Sequence, residues 1–138
     1  MNHLCSLSLA ITLACACASA NAVDPPKHKP GLWEMTLQTG DKKMVSQMCT
    51  DAASEAKNNA TVAAYMKANC SKYDMRIEGG RWIGDSECTF AGQHVTGHTV
   101  TATVGENAYR TEGTTNVDAK WLGPCKLGQV PGVAMWQR

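Results

Sequence analysis

The chain is short of the residues that usually build a core. Among its 138 residues there is one Phe. Between Val23 and Arg138 there are four Leu, two Ile and nine Val. These and the Phe amount to about one residue in seven there, below the ~20% at which disorder becomes a serious alternative. The high net charge that accompanies disorder is also missing, since 13 basic residues balance 12 acidic ones. That balance, at a formal charge of +1, excludes the basic face of a nucleic-acid binder and the polybasic stretch of a membrane-surface segment. No G-x-S-x-G occurs, so the nucleophile elbow of a hydrolase is absent. No C-x-x-C occurs, so the commonest zinc spacing is absent as well. No cofactor motif is present, and no cofactor is expected. No apolar run reaches the ~20 residues needed to span a bilayer as a helix.

What is there begins with an address. Leu4 to Ala18 is almost wholly apolar or small, and no charge precedes Asp24. The run fits the apolar region of a secretory signal peptide. Ala18-Ser19-Ala20 and Ala20-Asn21-Ala22 both satisfy the A-x-A rule for cleavage, and cleavage after Ala22 leaves Val23-Asp24-Pro25-Pro26 at the front. Residues 1–22 are therefore expected to be a signal peptide and 23–138 one exported domain, periplasmic or secreted. The expected start lacks the usual Lys or Arg. Thr12-Leu13-Ala14-Cys15 loosely matches a lipoprotein processing box, which leaves Cys15 as an alternative site of lipidation.

Three of the seven cysteines lie in that leader, leaving Cys49, Cys70, Cys88 and Cys125. An even number in an exported chain reads as a disulfide framework, and a thin core needs such staples. Three pairings are open. Cys49–Cys70 with Cys88–Cys125 is favoured, because it clamps the ends of one helical excursion. Cys70–Cys88 is the rival, because a hairpin turning at Gly79-Gly80 brings those two nearly opposite each other.

The rest reads mostly at a period of two. Trp33, Met35 and Leu37 alternate with Glu34, Thr36 and Gln38, the pattern of a half-buried strand. Thr39-Gly40-Asp41 turns the chain, and Lys43 to Met48 returns. Thr50 to Asn69 is dense in Ala and free of Gly and Pro, which predicts one helix near 51–57 and another near 60–68, or one kinked helix, with Asn58-Asn59 weakening or breaking the middle. Val62 and Met66 are placed to dock on the sheet. Alternation resumes at Tyr73, Met75 and Ile77, turns at Glu78-Gly79-Gly80-Arg81, and continues through Trp82 to Phe90, His94 to Val104 and Ala108 to Asp118. About six strands joined by short turns imply a mainly β, antiparallel, curved or barrel-like sheet with one Ala-rich helical insertion and two disulfides. Val133, Met135 and Trp136 are candidates for a short final strand.

Several of these residues group together. Lys29-Pro30-Gly31-Leu32-Trp33-Glu34 opens the first strand, Cys49-Thr50-Asp51-Ala52-Ala53 opens the helix, and Leu122-Gly123-Pro124-Cys125 closes the domain. Over roughly Pro26 to Cys125 this arrangement resembles domain-of-unknown-function family 3617, small exported proteins of Gram-negative bacteria. The resemblance implies an exported single domain and no assigned activity, so it carries over no catalytic residue.

Candidate chemistry is sparse. His94 and His98 share a strand face but stand ~13 Å apart along a regular strand, a strained span for one metal ion unless Gly97 bulges. Met44 and Met48 share a face and have the soft thioethers that suit Cu(I). The plainer reading of both pairs is strand surface and core filling. The residues expected to line a ligand cavity are Trp33, Met35, Trp82 and Val100, since small curved sheets often enclose one. The expectation is a non-catalytic binding protein for a small apolar or amphipathic ligand. The alternative is an envelope protein–protein interaction module or inhibitor, and an enzyme of unknown class comes third.

Overall fold

The computed structural model describes residues 23–137, and the expected signal peptide, its cleavage site and Cys15 lie outside them. The chain forms β1 (Gly31–Thr39), β2 (Lys42–Thr50), α1 (Ala52–Asn69), β3 (Cys70–Glu78), β4 (Arg81–Phe90), β5 (Gln93–Thr103), β6 (Ala108–Glu112), β7 (Asn116–Gly123) and β8 (Ala134–Gln137). All eight strands join one antiparallel sheet in the order β3-β4-β5-β6-β7-β1-β2-β8. The mainly β, antiparallel character, the helical insertion and the two disulfides agree with expectation. The strand count is eight rather than about six. Residues after Cys125, interrupted by Pro131, return Ala134–Gln137 to the edge beside β2, and among the described residues β3 and β8 are the edges of an open sheet.

The opening motif explains the centre. β1 lies between β2 and β7, and Leu32 faces both Cys49 and Gly123. Gly31 has a φ of +139°, and a Cβ there would collide with the Trp121 indole and the Gly123 carbonyl. Only glycine lets the strands close at that point. The Pro30 carbonyl accepts from Trp121 Nε1 at 3.1 Å, and the Lys29 carbonyl accepts from Trp33 Nε1 at 2.8 Å. Two indole donors are thereby satisfied by the backbone just before β1.

This central position also decides the disulfides. Cys49–Cys125 crosses the start of β1 from β2 to the end of β7, and Cys70–Cys88 closes the β3–β4 hairpin. The favoured pairing of Cys49 with Cys70 is thus corrected, and the hairpin pairing is the one formed. The separation of 76 residues between Cys49 and Cys125 hid their proximity, which exists only because β7 pairs with β1.

The helix is one continuous segment, capped by Asp51 with a reciprocal Ser54 capping box, and it runs through Asn58-Asn59 unbroken. None of its residues is buried, because Ala supplies little side chain to pack. Val62 is exposed rather than docked. The later helix meets β4 through Tyr65, stacked on Phe90 at 5.6 Å between ring centroids. The buried hydrophobic residues are few: Leu32, Trp33, Cys49, Ile83, Cys88 and Ala119.

Candidate functional site

Strand register sorts the side chains onto two faces. Trp33 stands opposite Met48 and Trp121, Met35 opposite Ser46 and Ala119, and Tyr109 opposite Ala119. These residues share the face on which α1 lies. Glu34, Gln47, Lys120, Asp118 and Arg110 share the other face. Glu34 accepts from Gln47 at 3.1 Å and pairs with Lys120 at 3.3 Å, and these two partners hold its carboxyl below the usual carboxylate range.

The segment before β1 is a strap across the helix-bearing face. Trp82 on β4 donates to the Asp24 carbonyl at 3.2 Å. His28 lies against Tyr109 with rings tilted by 40° and centroids 4.4 Å apart, and meets Trp33 edge-on at 5.7 Å. The Lys29 ammonium sits 3.8 Å above the Trp121 ring. His28 is also hooked to the helix: Glu55 Oε1 accepts the His28 backbone N–H at 3.0 Å and lies 2.6 Å from its Nδ1. With Nδ1 the donor to that carboxylate, Nε2 is left buried and, among the described residues, without a hydrogen-bond partner.

Between strap, sheet, helix and tail lies a cavity of about 730 Å³. Its floor is Trp33, Met35, Met48 and Tyr109, its tail wall is Val130 to Val133, and its helix wall includes Glu55, Lys57, Asn58 and Thr61. Burial, and secondarily the charge of Glu55, pushes the Tyr109 phenol above its ordinary value, so it stays neutral and polar at this boundary. The tail is positioned by the Gly132 N–H donating to the Cys49 carbonyl at 2.8 Å. A volume of this size, apolar below and polar above, fits the dimensions of a small-molecule pocket.

Of the four cavity residues expected from sequence, Trp33 and Met35 meet in this floor. Trp82 shares their face but lies under the strap near Asp24. Val100 is a correction: it stands opposite Ile83 while Trp82 stands opposite Thr101, so alternation sends Val100 to the other face. Met48 lies in the floor, and Met44 is exposed near the hairpin end of β2. His94 and His98 share a face, opposite Thr89 and Asp85, with no bulge at Gly97. His98 Nδ1 is 2.6 Å from Asp85, which also pairs with Arg76; these partners, His98 foremost, lower the Asp85 carboxyl to about 2. Among the described residues no group of three or more His, Cys, Asp or Glu is placed to hold a metal ion. The same residues contain no helix long and apolar enough to cross a membrane.

Sequence reasoning missed His28, Glu55 and Tyr109. Tyr109 was legible as sharing a strand face with Thr111, in alternation with Arg110. The His28–Glu55 contact left no signal, since 27 residues and a whole hairpin separate the pair.

No curated protein and no solved structure matches this chain. A family model described as a protein of unknown function, DUF3617, matches residues 28–125, a span that starts at the His28 hook and ends at the Cys125 disulfide. The chain belongs to the DUF3617 family.

Proposed function

We propose that the protein is a non-catalytic binding protein of the bacterial envelope, periplasmic or secreted, that holds a small amphipathic molecule between α1 and the sheet. The observation that carries this reading is the two-sided lining of the 730 Å³ cavity. Indole, phenol and thioether groups would take an apolar body, while Glu55, Lys57 and Asn58 would take a polar end. The leader-like run before Val23 and two disulfides support the oxidising compartment.

The test is displacement of anilinonaphthalene sulfonate by dodecanoate, followed by fluorescence, on protein recovered from the periplasm. Saturable binding is expected, weakened about tenfold, or 1.4 kcal/mol, by Ala53→Trp, which fills the cavity from the helix side. Binding that ignores A53W, or no saturable binding, overturns the reading. N-terminal sequencing of the same sample is expected to begin at Val23.

A second reading, an interaction module for another envelope protein, is favoured by the tail. Leu127, Val130, Val133, Met135 and Trp136 are all exposed around the β8 edge.

A further inference from the structure

The β3 edge of the sheet carries its own complement. The β3–β4 hairpin turns on Gly79 and Gly80, both with positive φ, and closes on the pair Glu78 and Arg81. The closing pair of such a two-residue turn is hydrogen-bonded. Along β3 the even residues therefore spend their backbone groups on β4. Tyr73, Met75 and Ile77 aim their N–H and C=O groups outward, past the end of the sheet order. The outer part of this edge is open: Tyr73 and Ile77 are 46% and 53% exposed.

We propose that two copies of this chain pair through β3, antiparallel about a two-fold axis at Met75, to make one continuous sheet. In that register Met75 meets Met75 of the second copy and Tyr73 meets Ile77, each pair using the outward backbone groups. On the opposite face Lys72 meets Glu78 and Asp74 meets Arg76. Every charge from 72 to 78 then faces its opposite. The neighbouring registers that keep the outward groups paired fail this condition. Centred on residue 74, Asp74 faces Asp74 and Lys72 faces Arg76. Centred on residue 76, Arg76 faces Arg76 and Asp74 faces Glu78. Charges on an edge strand ordinarily repel a second strand; here their order, plus–minus–plus–minus along one face, reads as its own partner when reversed.

The experiment is sedimentation velocity on protein purified from cells expressing the full chain. The wild type is expected to dimerise. Lys72→Glu and Glu78→Lys each place like charges opposite one another at two symmetric points, and each alone weakens the dimer roughly tenfold. Mixed together, the K72E and E78K chains form a heterodimer in which both points are complementary again, and dimerisation returns. A local folding defect would not be repaired by mixing. Tyr73→Pro, which removes an outward N–H that β4 does not use, gives a folded monomer by circular dichroism. A wild type that stays monomeric at every concentration reached, or a dimer that survives Y73P, or variants that weaken alone and fail to pair when mixed, overturns the proposal.

Discussion

His28 Nδ1 stands 2.6 Å from the Glu55 carboxylate, and that contact joins the strap before β1 to the first half of a helix with no buried side chain. The helix has little other purchase near its start beyond its Asp51 cap and the neighbouring tail. The two His28 contacts to this carboxylate thus set how the roof of the cavity sits over its floor.

Removing those contacts loosens the roof. Glu55→Ala removes the acceptor of both His28 contacts and is expected to cost about 1–2 kcal/mol, in the range of a charge-assisted hydrogen bond. Hydrogen exchange is the readout: amides of α1 exchange faster while those of β1 and β7 do not change. Uniform acceleration across the sheet would show that the contact serves global stability instead.

The two disulfides differ in the length of chain they close. The loop-entropy model assigns about 4.5 kcal/mol to Cys49–Cys125 and about 3 kcal/mol to Cys70–Cys88. Urea unfolding of the paired variants C49A/C125A and C70A/C88A is expected to rank them in that order. Peptide mapping of the unreduced protein is expected to recover the same two links.

Gly31 tolerates no side chain. Gly31→Ala meets both an unfavourable φ and the Trp121 indole, and is expected to destabilise by about 3 kcal/mol. Trp121 near-ultraviolet dichroism should change in the same variant, because the ring must move to admit the methyl. An unchanged Trp121 signal at full stability would contradict the packing described for the opening motif.

Acid acts through Asp85. Its carboxyl, held by His98 and Arg76, titrates at about 2 in the folded chain against an ordinary 3.8. A depressed carboxylate stabilises the fold above its unfolded value and loses that contribution as pH falls toward the folded value. The wild type is therefore expected to lose stability between about pH 4 and pH 2, and Asp85→Asn to show a shallower loss over that window. Melting temperatures measured across the window compare the two directly.

The strand pattern was open to reading because period-two alternation is local. Trp33-Glu34-Met35, Tyr73 to Ile77 and the Gly79-Gly80 turn each declare themselves within a few residues. The candidate site was half legible for the same reason: Trp33 and Met35 alternate visibly, and their strand lines the floor. Val100 was misplaced because alternation tells which residues share a face of one strand, not which face of the next strand they match. That relation depends on register, and β4 and β5 place Val100 with Ile83. The helix break expected at Asn58-Asn59 failed since each Asn costs a helix only a fraction of a kcal/mol, which the capped Ala-rich run absorbs.

By itself the sequence determined the class of fold, the hairpin turns and four cysteines paired as two disulfides. These follow from local spacing, backbone preference and the even number of cysteines after Val23. Tertiary structure alone decided that β7 pairs with β1, and through that pairing the Cys49–Cys125 link, the Trp121 seat on Gly31 and the meeting of Tyr109 with Trp33. It also decided the His28–Glu55 hook and so the cavity. Such contacts join residues far apart in the chain, and their geometry comes from closing long loops against a single best-packed sheet, a global minimum that no short window of residues encodes.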